Sequence, residues 1–404
     1  MVYQLHEVVS AKQKQQFLDM PSRLYRSEAN WIRPFDKDVE AVFDPKQNKL
    51  FRTGKAIRWI LANPEGEIVG RVAAFFESKS ASKNQQPTGG MGFFECIPDR
   101  EAAFKLFDAC RDWLSSQGME AMDGPVNFGD RDKFWGLQVE GEFPPLYGMF
   151  YHKSYYRDFF EAYGFRSYFE QYTYHRKIGG GGVSLHIREK ADRIFKDPLY
   201  SFRMLQKNDA DRYAEDFMTV FNKGWAKFPG VNPITKVHAL ALLKSMKPIM
   251  DERLLWFGYY GDEPVAFFLM MPDINQIVRH LNGKFGLWQK MLFFYHLKIR
   301  KSITGLIGLI FGVVPQHQGK GIEGALVVSF EKVALRSDFP YTDLELNWIA
   351  DFNPAMMKVA EQVGGRIRKT HITYRLLFDP AKPFQRARKM NVRDKENPQN
   401  DSVS

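Results

Sequence analysis

The sequence predicts an α/β (α+β) chain built from two similar halves, and three observations carry that expectation. The stretch Gly305 to Val314 is a continuous apolar run, which reads as a strand buried on both faces, and Pro315 ends it because proline has no N–H for a ladder. Behind it a glycine-bearing turn opens into a helix with Ile322, Ala325, Leu326, Phe330 and Val333 at helical spacing. The chain has 404 residues and is 44% apolar, enough for two domains with cores of their own. Finally, one order of elements occurs twice: strand, helix, hairpin, strand, helix, strand, helix ending in glycine, strand.

In the first half, Val2 to Val9 alternates as an edge strand and Ala11 to Tyr25 has helical spacing, broken at Trp31-Ile32-Arg33-Pro34. Ala56 to Ala62 and Glu67 to Glu77 form a hairpin about Asn63-Pro64-Glu65-Gly66. Ser78 to Gly90 reads as a polar loop, and Gly92 to Ile97 as a strand. Asp99 to Gln117 is an amphipathic helix with Ala103, Leu106, Phe107, Cys110 and Leu114 on one face. Tyr155 to Phe165 is a helix ending in Gly-Phe, followed by a strand from Phe169 to Arg176. Four glycines, Gly179 to Gly182, mark the junction, with a connecting helix from Ser184 to Ile194. The second half repeats the order, with a strand at Leu199 to Leu205, helices from Ala210 to Lys227 and His238 to Met250, and a hairpin at Leu254 to Met271.

The turn Gln316-His317-Gln318-Gly319-Lys320-Gly321 is where chemistry is expected. A strand, a glycine turn and a helix N-terminus form an anion site, because first-turn N–H groups and the helix dipole both favour negative charge. A P-loop is excluded, since Lys320 is followed by Gly321 rather than Ser or Thr. Gly319, Gly321 and Gly324 match the dinucleotide spacing, but Glu345 falls in mid-strand rather than at a strand end. Gln316, Gly319 and Gly321 fit Gln-x-x-Gly-x-Gly, and this stretch resembles the acyl-CoA pyrophosphate loop of the GCN5-related N-acetyltransferases, the GNAT superfamily. The following segments are similar in order: a strand from Thr342 to Ile349, a helix from Asp351 to Gly365 with Gly365 where the family has Phe, and a last strand from Lys369 to Leu377.

The resemblance implies two tandem GNAT-like domains, each a mixed, mostly antiparallel twisted sheet flanked by helices. Their expected boundaries are 1–178, a junction with its helix at 179–198, and 199–383, with a basic disordered tail at 384–404. The first copy enters its helix through Pro98-Asp99-Arg100, with an acid in the anion position as an N-cap, so it is expected to be degenerate for CoA. In the second copy, acetyl-CoA or another acyl-CoA would be held by Val313, Val314, Gln316, His317, Gln318, Gly319, Lys320, Gly321 and Ile322. Asn353 would serve as a pantetheine contact or as an N-cap.

Acylating an amine from a thioester requires a base, an oxyanion donor and a route for the thiolate to leave. The donor is expected at the backbone N–H of Val313 or Val314. The family's strand glutamate is missing from Gly305–Val314, and Glu345, flanked on its face by Asp343 and Asn347, is the substitute base. His317 and Glu323 are the outside candidates. The family's acid tyrosine falls at Ala360, and at Phe160 in the first copy, which leaves Tyr374, a water or unassisted departure of the thiolate.

An inserted segment, 275–303, sits before the second central strand. Its part Arg279 to Lys301 holds six basic residues, no acid, and Trp288, Phe293, Phe294 and Tyr295. It is expected to pack on the body as a lid over the acyl or acceptor end, or to touch a membrane or acyl chain. The net charge of +10 suits an anionic ligand such as CoA as well as a membrane surface. No nucleic-acid fold is visible, and no metal spacing. Cys96 and Cys110 are the only cysteines, and the N-terminus lacks an apolar signal core, so a cytoplasmic location is expected. The expected activity is CoA-dependent transfer of an acetyl or longer acyl group to a small-molecule or lipid amine bound between the domains. The alternatives are a non-catalytic acyl-CoA-binding protein, a lipid N-acyltransferase at the membrane, or an aminoacyl-tRNA-dependent transferase of tandem type. Nothing in the sequence fixes the acceptor, the acyl length or the oligomeric state.

Overall fold

The computed structural model describes residues 2–81, 86–179, 183–224 and 233–389. In chain order its elements are β1 (Gln4–Glu7), α1 (Ala11–Leu24), α2 (Asp36–Val42), β2 (Gly54–Ala62), β3 (Ile68–Glu77), α3 (Ser78–Ala81), β4 (Thr88–Cys96), α4 (Arg100–Ser116), β5 (Ala121–Gly124), β6 (Leu137–Glu140), α5 (Tyr156–Tyr163) and β7 (Arg166–Lys177). They continue as α6 (Leu185–Phe195), β8 (Tyr200–Met204), α7 (Ala210–Gly224), α8 (Lys236–Met246), β9 (Leu255–Tyr260), β10 (Glu263–Pro272), α9 (Asn275–Val278), α10 (Leu287–Phe294), β11 (Gly305–Val313), α11 (Ile322–Ala334), β12 (Asp343–Ala350), α12 (Pro354–Gln362) and β13 (Arg366–Leu377). The last three of the four junction glycines, 180–182, and the tail beyond 389 lie outside the described residues. So do 225–227, at the end of the helix expected from Ala210. Among the described residues, no helix is long and apolar enough to cross a membrane.

Two compact units result. One gathers the chain up to Tyr172 with Ile274–Ile299 and Arg368–Arg388; the other gathers Thr173–Asp273 and Arg300–Ile367. The first has the strand order β1-β2-β3-β4-β5-β13, with β6 also on β13. Its β2–β3 hairpin turns where Asn63 Oδ1 accepts from the Glu67 N–H at 2.8 Å and Gly66 adopts φ +83°. Helix α1 opens with a capping box between Ser10 and Gln13. Neighbouring residues of β4 face opposite ways. Phe94 stacks on Phe107 of α4, and Phe93 meets the ring of Phe17 of α1, so each side of the sheet has its own core.

In the second unit the order is β7-β12-β11-β10-β9-β8, with β11 parallel to β12 and antiparallel to β10. Phe267 of β10 packs on Phe217 of α7, and its neighbour Phe268 on Phe330 of α11, which places α7 and α11 on opposite faces.

Three expectations need correction. The strand expected to close the C-terminal domain lies in the first unit: β13 pairs antiparallel with β5, Tyr374 opposite Gly124, and Arg375 grips Asp123 at 2.6 and 2.8 Å. In turn Thr173–Lys177 of β7 belongs to the second unit, where Thr173 bonds Asn347 and His175 bonds Asp343 at 2.9 and 2.7 Å. Alternation specifies that a segment is a strand and which face it buries, but not which sheet it joins.

The inserted segment is also in the first unit over Ile274–Ile299. It is tied there by the Asp36 N–H on Gly283 O (2.8 Å), by Lys284 on Asp36 (2.7 Å), by Asn275 on Pro145 O (2.7 Å) and by Phe285 against Phe35. Lastly, the polar loop expected at 78–90 is corrected at both ends, because Ser78–Ala81 is helical and β4 already begins at Thr88; residues 82–85 lie outside the described residues. The run Thr88-Gly89-Gly90 reads as loop by composition, yet it pairs as a strand with Ala121–Asp123, and Leu114 and Phe75 leave no room for a side chain at Gly89 and Gly90.

Candidate active site

The two central strands are built alike and finished differently. In the first unit, β4 runs parallel to β5 from Thr88 to Gly90, then bulges, with Phe93 at φ +53°. The gap that the bulge would open is closed by the Val126 N–H on Met91 O at 2.8 Å, and a side chain at Gly92 would run into the Val126 carbonyl. Every residue of β4 is buried. Beyond it, Asp99 Oδ1 accepts from the Ala102 N–H at 3.0 Å, so a carboxylate occupies the helix N-terminus where an anion would sit.

In the second unit, β11 runs parallel to β12 from Gly305 to Gly308, opposite Asp343 to Leu346, and bulges at Leu309. Past the bulge the middle of this central strand stays open: Leu309 is 44% exposed, and Ile310 and Phe311 are half-buried. This open strip, Leu309 to Phe311, is the candidate groove of the second unit; Gly312, Val313 and Val314, between it and the turn at Pro315–Gly321, are buried.

The groove has a polar edge. The Val314 N–H donates to Val265 O at 2.9 Å, which makes that pair hydrogen-bonded and Val313–Ala266 the alternate pair. The N–H and C=O of Val313 therefore point away from β10, to the groove side. Gln318 confirms the direction by donating its Nε2 to Val313 O at 2.8 Å. The expectation that Val314 donates to an oxyanion is corrected, since its N–H is spent inside the sheet.

The turn itself is anchored by its side chains and bent at two glycines. His317 Nδ1 lies 2.7 Å from the Tyr200 hydroxyl, and its ring packs on Tyr260. Burial, then nearby Lys320, pushes the imidazole below its ordinary range and favours its neutral form. Gly319 and Gly321 have φ +76° and +105°. Open space surrounds Gly319, whereas a Cβ on Gly321 would lie 2.7 Å from the Lys190 Cβ of α6. Gln316, Gly319 and Lys320 are exposed, and the N–H groups of the first turn of α11, Ile322 among them, open toward the same turn.

The remaining expected residues are dispersed. Glu345 is half-buried on β12 opposite Ile307, between the His175–Asp343 and Thr173–Asn347 pairs. Asn353 caps α12 by accepting from the Met356 N–H at 3.3 Å. Glu323 stands in the first turn of α11. Tyr374 lies in the first unit, its hydroxyl on Glu161 at 3.0 Å; burial and that carboxylate raise its pKa, and it belongs to the packing around Phe160. Ala360 is wholly buried.

One group was missed in the sequence, although a single acid in the strand Gly-Met-Gly-Phe-Phe-Glu-Cys was its signal. Glu95, buried in the first unit, accepts from Tyr25 at 2.6 Å and Tyr156 at 2.9 Å and stands 3.8 Å from Arg71. Burial raises its carboxyl to about 7 and lowers Arg71 to about 10. A narrow cavity lined by Trp31, Phe93, Met149 and Tyr151 adjoins the cluster.

These sheets and helices are the tandem GNAT fold. The structure resembles a tandem GNAT protein from the clavulanic acid biosynthesis pathway, with TM-score 0.54, 10% identity and coverage of 94% of this chain and 100% of that one. It also resembles a GCN5-related glucosamine N-acetyltransferase region of a fungal multi-domain β-N-acetylglucosaminidase, with TM-score 0.53, 12% identity, and 93% of this chain against 38% of that one.

In sequence, the chain is 29% identical over 371 residues to the bacterial ceramide synthase of Caulobacter vibrioides, covering 89% of this chain and 93% of that protein. It is 26% identical over 372 residues to protein YghO of Escherichia coli K12, covering 89% and 91%. No family profile matches the chain.

Proposed function

We propose that this chain is an acyl-CoA-dependent N-acyltransferase whose acceptor is a long-chain amine. The observation that carries the first half is the open middle of β11, exposed at Leu309 where β4 is buried throughout, on the strand that ends at the glycine turn. The residues present fit acyl-CoA. Gly319, Gly321, Lys320 and the first-turn N–H groups of α11 would hold the pyrophosphate. An extended pantetheine arm would take the groove, where the Val313 N–H is directed.

Strand rise places Leu309 about 13 Å from Val313, on the scale of such an arm, so the acyl end would lie near the bulge. The bound thioester supplies the activated acyl carbon. Of the chain's own groups, the carboxylate of Glu345 stands opposite Ile307, one position before Gly308–Leu346 in the direction of the strand start. It would take the proton of the attacking amine.

The likeness to a ceramide synthase supports the acceptor class, since a ceramide is the amide of a fatty acid with a long-chain amino alcohol. A melting series with CoA, acetyl-CoA and long-chain acyl-CoA, followed by thiol release on adding a long-chain amino alcohol or a short amine, tests both halves. Thiol release with the long-chain amine alone is expected. No shift with any CoA species refutes the site.

A second reading is a non-catalytic acyl-CoA-binding protein. It is favoured by Ala360 at the family's tyrosine position and by the engagement of Tyr374 with Glu161 in the first unit. Melting shifts without thiol release for any amine would select it.

A further inference from the structure

We propose that helix α10 and the turn that continues it form a docking face for an anionic lipid bilayer. The helix runs from Leu287 to Phe294 and passes directly into a wider helical turn, Tyr295–Ile299. One side of this rod is used within the first unit. Phe293 and His296 are buried, Phe293 packs on Phe285, and His296 stacks on His280 at 4.7 Å.

The other side carries large apolar residues into solvent: Leu287 at 79% exposure, Trp288 at 68%, Met291, Phe294, Tyr295, and Ile299 at 73%. Their spacing keeps them along one face of the rod. An apolar patch of this make-up, held out on a fixed mount, needs a cover.

The mount is fixed. Lys284 pairs with Asp36, Arg279 bonds Ala29 O, and a side chain on Gly283 would collide with Arg33. The cover is selected by charge. Lys290 and Lys298 are exposed on the rod, Arg300 and Lys301 follow at once, and no acidic residue occurs between Ile274 and Lys301.

An apolar face of Trp, Tyr, Phe, Leu and Ile, on a segment whose own charges are all cationic, matches the interface of a bilayer. The rings settle at headgroup depth, and the lysines and arginines meet anionic headgroups. The face is independent of the acyl-transfer reading. If that reading also holds, the same face would bring the enzyme to the membrane in which long-chain amines reside.

The test is cosedimentation of the full chain with vesicles of phosphatidylcholine alone, or mixed with phosphatidylglycerol, at low and high salt. Binding to the mixed vesicles that weakens with salt is expected. Lys290→Gln with Lys298→Gln should weaken it by about fivefold per lysine, and Trp288→Glu with Ile299→Glu should abolish it.

All four residues are exposed, so melting temperatures of the variants should stay near that of the parent. If the glutamate variant nevertheless melts early, the lysine variant decides. Failure to bind the mixed vesicles, or equal binding by the lysine variant, overturns the proposal. So does concentration-dependent self-association abolished by Trp288→Glu, which would give the face to a second copy. The CoA-induced melting shift, measured without vesicles, reports the catalytic reading separately.

Discussion

The two glycines of the turn do different work, and single substitutions should separate them. Both have positive φ, so an alanine at either position carries the left-handed penalty of about 1–2 kcal/mol. At Gly319 that is the whole cost, because nothing lies within 4 Å of the added methyl. At Gly321 the methyl would stand 2.7 Å from the Lys190 Cβ and 3.3 Å from its backbone carbon and oxygen. Neither partner is the free end of a side chain, so α6 must move. Overpacking of this kind costs roughly a further 1–3 kcal/mol.

Gly319→Ala should therefore lower unfolding stability by about 1–2 kcal/mol, and Gly321→Ala by roughly 2–5 kcal/mol, in urea titrations followed by circular dichroism. Ligand binding sharpens the contrast. Acetyl-CoA at a hundred times its dissociation constant should stabilise the parent by about 2.7 kcal/mol, an increment that Gly321→Val should lose. Equal stabilities for the two alanine variants, or an undiminished acetyl-CoA increment in Gly321→Val, would refute the placing of α6 and of the phosphates at this turn.

Three further outcomes are expected. Glu345→Gln should reduce turnover by roughly 10²–10⁴-fold while the acetyl-CoA melting shift persists; a variant that fails to fold, or one with full turnover, removes Glu345 as the base. Glu95 has a folded value of about 7, above its ordinary 4.5, so the folded chain keeps a proton that the unfolded chain loses between those values. Its contribution is thus complete below pH 4.5 and is lost as pH rises through 7, on the order of 3 kcal/mol at most. Glu95→Gln should flatten the stability curve across that window, and an unchanged slope would assign the effect to another group. Asp99→Ala should cost about 1 kcal/mol as a lost N-cap and leave CoA binding unchanged; a new or altered CoA site would show that the first copy also holds the ligand.

The local devices were legible in the sequence because each is settled within a few residues. The Asp99 cap, the turn at Asn63–Gly66, the strand Gly305–Val313 and the glycine turn behind it all follow from hydrogen-bonding groups and side-chain period. The tandem repeat was legible too, since element order survives where residue identity does not.

Tertiary structure decided the pairings. β13 joins the first unit and Thr173–Lys177 the second, although both segments alternate alike, because the choice of sheet rests on partners far away in the chain. The availability of the Val313 N–H rather than that of Val314 follows from the register with β10, which no local pattern encodes. The same bulge is open at Leu309 in one copy and closed in the other, where Val126 bonds Met91 across it. The cationic and apolar content of Arg279–Lys301 was plain in the sequence. Which of its aromatics are buried, and which are left facing solvent, was fixed by the rigid mount on Arg33, Phe35 and Asp36.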